Sequence, residues 1–306
     1  MLKLIFLGVN GSLQDTDSGN TSLLLMGRKG SLAVDLSCNI GTLVNAGVDA
    51  VILTHEHIDH VYGLPSLLHQ MWIAGRRKAL DIYVPKGLEG LADGLIQLFG
   101  IREKKNMFEI RMHTEPVFSV GTMKVTTFPT DHTKMSIGVV VEEGDVIEDG
   151  DVIEEGDVIE DDDVIEEGGA IEDSDAIEDA MEDAMKGRRA KLVYTCDTRP
   201  LRDIPSFMEG AQVLVHEASG LSKDGETLLR KGHSSGADAG KMAGCWERIS
   251  CISVIFPGGR RPRLKSFMRL RWFLRRVSYQ RCSGRLRLTV FTYKSIVKIR
   301  QQCCVI

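Results

Sequence analysis

The sequence predicts an α/β protein, and three features of the chain support this fold class. Short apolar runs suited to β-strands alternate with segments whose apolar residues recur at helical spacing. Several predicted strands end in histidine or aspartate instead of ordinary turn residues. With 306 residues, 43% of them hydrophobic, the chain can also bury a sizeable core in one large or two ordinary domains.

The predicted elements alternate along most of the chain. The strands are predicted at residues 2–7, 22–26, 32–36, 48–53, 80–84, 109–113, 123–128, 136–141, 191–195, 213–215 and 249–256. Helices are predicted at residues 41–47, 64–75 and 87–99, and a further helix begins after His233. Residues 8–20 are rich in glycine, aspartate and serine and predict a loop.

The segment after the strand at 48–53 has an unusual concentration of metal-ligating side chains. Residues 54–60 read Thr-His-Glu-His-Ile-Asp-His, so His55, His57, Asp59 and His60 lie within six residues. Because the chain turns where the strand ends, these side chains can converge on one pocket. Imidazole and carboxylate groups suit zinc, and four ligands this close can serve two metal ions better than one. The alternative is a polar loop that is merely rich in histidine.

This segment and several later blocks resemble a known family. The pattern His-x-His-x-Asp-His after a hydrophobic strand resembles the metallo-β-lactamase superfamily. The ribonuclease Z branch is indicated by Phe6-Leu7-Gly8, Gly63-Leu64-Pro65, Asp131-His132-Thr133, Asp197-Thr198-Arg199, His216-Glu217-Ala218-Ser219 and His233-Ser234-Ser235. The resemblance covers residues 1–141 and 190–245, and it implies a four-layer αββα sandwich formed by residues 1–245.

The resemblance implies a centre with two zinc ions. The first ion would be held by His55, His57 and His132. The second would be held by Asp59, His60 and Asp197, with the Asp197 carboxylate bridging the two ions.

The resemblance also implies catalytic roles and a substrate. Asp59 would accept a proton as well as bind metal, and His233 would stabilise developing charge or protonate the leaving oxygen. Glu217 or His216 would brace His233. The reaction would be hydrolysis of a phosphodiester by zinc-activated water, with tRNA precursor 3′ ends as substrate and a homodimer as the usual assembly.

Four further residues stand apart from these roles. Asp35 would orient the metal ligands from beneath their loop, or it is an ordinary turn residue at a strand end. Cys196 stands where the family usually has glycine, and it is either a bystander or an adventitious ligand. His69 and His113 lie outside the motifs and are predicted to be structural or surface residues.

An acidic insertion interrupts the family pattern. Residues 142–183 contain 22 Asp/Glu and no Lys/Arg, largely as a six-residue repeat that begins Asp-Val-Ile-Glu. This composition predicts a disordered insertion at 142–189, or else a small β-like stack of the Val-Ile pairs. In ribonuclease Z this interval has an arm that grips the tRNA elbow, and an acidic tract would repel phosphates. A phosphodiesterase or other hydrolase acting on small molecules therefore remains an alternative.

The last 61 residues, 246–306, form a basic tail, and residues 241–306 contain 16 Lys/Arg and one acidic residue, Glu247. The family has one more metal-binding histidine on a strand after His233, but the strand predicted at 249–256 has none. A shifted reading frame could encode such a histidine at residues 252–258. The alternatives are a true basic tail that binds nucleic acid, a variant second metal site, and a decayed, inactive protein.

Composition predicts a cytoplasmic protein. Seven scattered cysteines without a Cys-x-x-Cys pair favour a reducing compartment. The N-terminus is predicted to be the first strand instead of a signal peptide, and no apolar run approaches the roughly 18–20 residues of a membrane span. The net charge of −5 conceals the acidic and basic segments, so it says little about partners.

Overall fold

A computed structural model describes residues 2–14, 19–144, 190–201 and 205–244, together with the backbone of two short strands at Cys251–Ile255 and Cys303–Val305. The acidic repeats and most of the basic tail lie outside the described residues. The disorder predicted for the repeats and the shifted frame predicted for the tail therefore stay predictions.

The first sheet carries the histidine-rich segment. Its strands are β1 (Lys3–Gly8), β2 (Ser22–Met26), β3 (Ser31–Val34), β4 (Ala50–Ile52), β5 (Leu80–Tyr83), β6 (Ile110–His113) and, last in the chain, β13 (Cys303–Val305). They lie side by side in the order β13-β1-β2-β3-β4-β5-β6. Strands β3 to β6 run parallel, so residues 54–60, which follow β4, lie at the edge formed by their carboxyl ends.

The second sheet brings three more strand ends to the same region. Its strands are β7 (Val117–Val120), β8 (Met123–Thr130), β9 (Ser136–Glu143), β10 (Ala190–Tyr194), β11 (Val213–Glu217) and β12 (Cys251–Ile255), in the spatial order β12-β11-β10-β9-β8-β7. Strand β9 is antiparallel to both β8 and β10, and β10 is parallel to β11. The loops that follow β8, β10 and β11 therefore leave one edge of this sheet together.

Helices cover the outer face of each sheet. The helices are α1 (Ile40–Asn45), α2 (Ile58–Val61), α3 (Leu64–Ile73), α4 (Glu89–Leu98), α5 (Gly225–Arg230) and α6 (Gly236–Gly244), with short 3-10 turns at Ser206–Met208 and Ser222–Asp224. In α3 the buried residues Leu64, Leu67, Leu68 and Met71 follow the spacing of one helix face, which packs on the first sheet. Helix α6 packs on the second sheet through Ala239 and Met242.

A third apolar layer joins the two sheets. Leu4, Leu23 and Ile52 of the first sheet belong to the same buried cluster as Val125 and Leu192 of the second. The layers therefore run helix, sheet, sheet, helix, and the predicted αββα sandwich is confirmed for the described residues.

Most predicted elements are present with shifted boundaries, but the sequence patterns did not predict β7, β13, α2, α5 or the two 3-10 turns. The strand predicted at 249–256 is β12, which lies parallel to β11 with Ile255 opposite Glu217, and its sequence contains no histidine. Strand β7 was missed because it is short and mostly exposed. The sequence does not indicate α2, because its single turn overlaps residues 54–60, where the spacing of the histidines and aspartate has no helical apolar pattern. The longest described helices have ten residues, and none could span a membrane.

The flanks of the acidic insertion are neighbours in the second sheet. Glu143 pairs with Ala190 across β9 and β10, and Lys191 Nζ lies 2.8 Å from Glu142 Oε1. We predict that replacing residues 145–189 with one asparagine preserves the fold, because Gly144 and the asparagine can form a two-residue hairpin turn. Thermal unfolding followed by circular dichroism should give nearly the full-chain midpoint. A fall of more than about 8 °C, or roughly 2 kcal/mol, would contradict this prediction.

A substitution in the core, Val141→Ala, tests whether the thermal unfolding measurement detects a small loss of stability. Val141 is fully buried in β9, close to the point where the replaced segment begins. Val141→Ala should lower the midpoint, because it removes two buried methyl groups from the layer between the sheets.

Candidate metal centre

Three imidazole rings meet where the edges of the two sheets face each other. His55 and His57 follow β4, and His132 follows β8 of the other sheet. His57 Nδ1 lies 3.0 Å from His55 Nε2 and 3.2 Å from His132 Nε2. The ligand atoms of these residues and Asp197 all lie within 4.8 Å of one another. This cluster is the first candidate metal position.

Hydrogen bonds fix which nitrogen each ring presents to the cluster. His132 Nδ1 donates to the carbonyl of Gly232 at 2.7 Å, and His55 Nδ1 lies 3.1 Å from Thr54 Oγ1. The Thr54 hydroxyl donates to Asp35, so it accepts from His55. In both histidines Nδ1 is thus protonated and Nε2 offers a lone pair toward the centre of the cluster, as metal ligation requires.

A second candidate position lies around His60. His60 is 1% exposed, and its Nε2 has no hydrogen-bond partner among the described residues. This nitrogen lies 3.7 Å from Asp59 Oδ2 and 3.7 Å from Asp197 Oδ2. A buried nitrogen without a partner is costly, and a cation held with the two carboxylates would satisfy it. These residues therefore fit a second metal ion.

The Asp197 carboxylate lies between the two positions. Its Oδ2 is 3.8 Å from His55 Nε2 and 3.9 Å from His233 Nδ1, in addition to its contact with His60. Burial raises the pKa of Asp197, and the facing His60 opposes that rise. One oxygen shared among these rings is compatible with the bridging role implied by the resemblance.

Asp35 anchors the metal loop, residues 54–60, from below. Its side chain is fully buried and accepts hydrogen bonds from the Thr54 backbone N–H at 2.9 Å, the Thr54 hydroxyl at 2.9 Å and His60 Nδ1 at 2.7 Å. The bond to His60 directs Nε2 of that ring toward Asp59 and Asp197. Burial disfavours the charged form of His60, but the Asp35, Asp197 and Asp59 carboxylates outweigh it and raise its pKa to about 9. The same carboxylates that favour a proton would favour a metal ion.

Cys196 lies against this anchor. Its side chain is fully buried, with Sγ 3.0 Å from Thr54 Oγ1 and 3.6 Å from His55 Nδ1. It therefore contacts the side of His55 that faces away from His57. Its ligand atom also clusters with those of His55 and His60. Burial raises the pKa of the thiol well above its usual range, so the free thiol is neutral here.

Glu217 holds His233 beside the cluster. His233 Nδ1 lies 3.2 Å from each Glu217 carboxylate oxygen and 3.2 Å from Ser219 Oγ. The rings of His233 and His132 are 4.9 Å apart. Burial lowers the pKa of His233, but the hydrogen bond and charge of Glu217 outweigh it and raise the pKa. The imidazolium form of His233 therefore persists to higher pH than usual.

His216 faces away from His233. It precedes Glu217 in β11, and successive side chains of a strand point to opposite faces. Its Nδ1 lies 2.7 Å from the carbonyl of Glu217, and burial lowers its pKa. The bracing contact that the sequence left open between these two residues is thus made by Glu217.

Several residues that support the centre had no role assigned from sequence. Thr198 is buried, and its backbone N–H donates to Glu217 Oε1 at 2.6 Å. Arg199 donates to the Asp131 side chain at 2.6 Å, which joins the loops after β10 and β8. Gly232 has a φ of +80°, and a Cβ there would lie 2.8 Å from His132 Nδ1. The clearest signal for the pair Asp131 and Arg199 was their place in the two family blocks.

The chain is similar in sequence and fold to known proteins. Residues 39–151 match the family model described as a β-lactamase superfamily domain. The chain is 25% identical to ribonuclease Z of Methanothermobacter thermautotrophicus over 257 residues, which cover 79% of this chain and 82% of that protein.

Two solved structures share the fold. The metallo-β-lactamase fold protein YhfI from Bacillus subtilis has a TM-score of 0.63 at 17% identity, with 95% of each chain covered. The short form of human tRNase Z has a TM-score of 0.59 at 18% identity, covering 84% of this chain and 93% of that one. At these identities the two structures support the fold alone.

The position of Asp35 generates a prediction about metal affinity. Asp35→Asn keeps the size of the side chain but removes its charge and part of its capacity to accept hydrogen bonds. We expect zinc affinity, measured by competition with a chelating dye, to fall by about 10–100-fold, because such supporting residues orient the ligands.

Asp49 provides the matched control. It also accepts backbone and side-chain hydrogen bonds, from Ser31 and Lys78, but it precedes β4 and so lies at the opposite end of that strand. Asp49→Asn should bind zinc like the unmodified chain. Equal zinc affinities for the two variants would show that Asp35 does not orient the ligands.

Proposed function

Because the chain is a metallo-β-lactamase superfamily protein with a ribonuclease Z-like sequence, we propose that it is a metal-dependent phosphodiester hydrolase that cleaves RNA, such as the 3′ ends of tRNA precursors. The observation that carries the proposal is the meeting of His55, His57, His132 and Asp197 at the facing edges of the two sheets. The name ribonuclease Z of the sequence relatives supports RNA as the substrate class. A cytoplasmic homodimer belongs to the same proposal.

The donor atoms suit zinc, which binds imidazole nitrogen and carboxylate oxygen. In this proposal His55, His57 and His132 hold the first ion, Asp59 and His60 hold the second, and Asp197 is shared. Bound zinc would polarise a phosphoryl oxygen and lower the pKa of nearby water toward neutrality. The second set is one ligand short of the family pattern, because β12 has no histidine.

Two side chains of the protein would accept and donate the protons of the reaction. Asp59 is 7% exposed and points Oδ2 toward His60, where it can accept a proton from the attacking water. His233 uses Nδ1 for Glu217, which leaves Nε2 to face the substrate. Its raised pKa favours the imidazolium form, which can protonate the leaving oxygen.

A small phosphodiester substrate is the second candidate. Residues 145–189 contain 20 Asp/Glu and three Lys/Arg in the interval where the family has its tRNA-binding arm. That charge opposes the approach of RNA and leaves small esters unaffected. An inactive protein with an incomplete second site is the third possibility.

We predict that the chain as purified with zinc hydrolyses both bis-p-nitrophenyl phosphate and a tRNA precursor. Removing the metal with a chelator should abolish both activities, and zinc should restore them. The metal content, measured by mass spectrometry, should approach two ions per chain. Turnover of the small ester alone would reject RNA as the substrate, and loaded protein without turnover would indicate the inactive form.

His233→Ala should separate proton donation from metal binding. We expect RNA cleavage to slow by about 10²–10⁴-fold, because the leaving ribose oxygen needs a proton. Hydrolysis of bis-p-nitrophenyl phosphate should change far less, since p-nitrophenolate leaves without one. The control is His113→Ala, which removes a histidine of β6 that pairs with Asp81 of β5. Similar losses with both substrates would show that His233 does not act as the acid.

A further inference from the structure

Two loops at the end of the first sheet opposite the metal centre form a cationic surface, defined by Arg77, Lys104 and Lys105. Residues 76–78 join α3 to β5, and residues 102–106 precede β6. Because β4, β5 and β6 are parallel, both loops lie at the edge opposite the metal loop. The two loops contain six Lys/Arg and one acidic residue, Glu103.

Contacts with Trp72 hold the cationic surface in place. The Trp72 indole N–H donates to the Lys105 carbonyl at 2.9 Å, and Lys104 Nζ lies 4.9 Å from the centre of the Trp72 ring. His69 stacks on the same ring with centroids 5.6 Å apart. Arg77 Nη1 donates to the Asn106 carbonyl at 3.2 Å, which ties the two loops together. Cations held in this way lose less conformational entropy when they bind a ligand.

The neighbouring cations Lys78 and Arg102 form ion pairs with carboxylates, and the three residues of the cationic surface differ from them in this respect. Lys78 pairs with Asp49 at 2.7 Å, and Arg102 pairs with Asp93 at 3.0 Å. Among the residues that the structure describes, no carboxylate oxygen lies within 4.0 Å of the cationic groups of Arg77, Lys104 or Lys105. Three cations without counter-ions favour a polyanionic ligand.

The position of the cationic surface favours RNA over an acidic polypeptide. Helix α3 begins just after the metal loop and runs for ten residues to this surface, a distance of about 15 Å. An RNA bound at the metal centre must extend beyond it and can cover such a distance with its phosphates. An acidic polypeptide would have no such connection to the metal centre.

We propose that Arg77, Lys104 and Lys105 bind backbone phosphates of the RNA substrate away from the cleaved bond. This inference depends on the proposed RNA substrate. It gives the chain a source of phosphate contacts that its acidic insertion cannot supply.

The test combines binding and turnover in the full-length, zinc-loaded protein. One variant carries Arg77→Gln, Lys104→Gln and Lys105→Gln. A matched control carries Lys3→Gln, Lys29→Gln and Lys124→Gln, which change the net charge equally at exposed positions elsewhere. Binding of a tRNA precursor is measured by fluorescence anisotropy at several salt concentrations, and bis-p-nitrophenyl phosphate turnover is measured in parallel.

We expect the surface variant to bind RNA at least about tenfold more weakly at low salt. The slope of log K against log salt should decrease in magnitude by about 2–3, since three phosphate contacts are lost. Small-ester turnover should be unchanged in both variants, and the control should bind RNA like the unmodified chain.

Three results would overturn the inference in distinguishable ways. If the unmodified chain cleaves RNA and the surface variant binds it no worse than the control, the inference alone fails. If the unmodified chain hydrolyses the small ester but does not bind RNA, the RNA substrate and the inference fail together. Polyglutamate serves as a model acidic polypeptide in the same anisotropy assay. If the surface variant loses binding of polyglutamate but keeps binding of RNA, the ligand is an acidic polypeptide and the inference is wrong.

Discussion

The buried carboxylate of Asp35 is the constraint on which the geometry of the candidate metal centre depends. It occupies a left-handed backbone conformation, with φ of 58°, at the end of β3, where its own N–H donates to Ile52 of the neighbouring strand. Its oxygens then fix both ends of the histidine-rich segment, through Thr54 at the start and His60 at the finish. Without this acceptor, His60 could present either nitrogen to its neighbours. The placement of the four candidate ligands between Thr54 and His60 thus depends on one side chain beneath them.

The second constraint is the distance between the two sheets. His132 reaches His57 only because the apolar layer between the sheets brings their edges together. Two further contacts close this gap: the Ile137 N–H donates to the Thr54 carbonyl at 3.1 Å, and the Cys196 thiol contacts the Thr54 hydroxyl. Thr54 is therefore bonded to Asp35 on one side and to the second sheet on the other.

Sequence patterns predicted most strands and the polar residues that follow them. They did not predict the directions in which side chains point in the folded chain. The candidate ligand histidines could be proposed because their chemistry is distinctive and they follow a recognisable strand. The choice between Glu217 and His216 could not be made, because it depends on which face of β11 points to the centre. The support from Gly232 could not be foreseen either, since it acts through a backbone carbonyl 100 residues from His132. The cationic surface joins loops whose adjacency exists only in the folded chain.

Gly232 links the two neighbouring histidines His132 and His233. Its carbonyl orients His132, and the next residue in the chain is His233. A bulkier residue at 232 would press on His132 Nδ1 and on the backbone of Thr133, while the required φ of +80° would strain the chain immediately before His233. One glycine therefore constrains the orientation of the His132 ring and the backbone that leads into His233, so a side chain at position 232 would disturb both histidines at once.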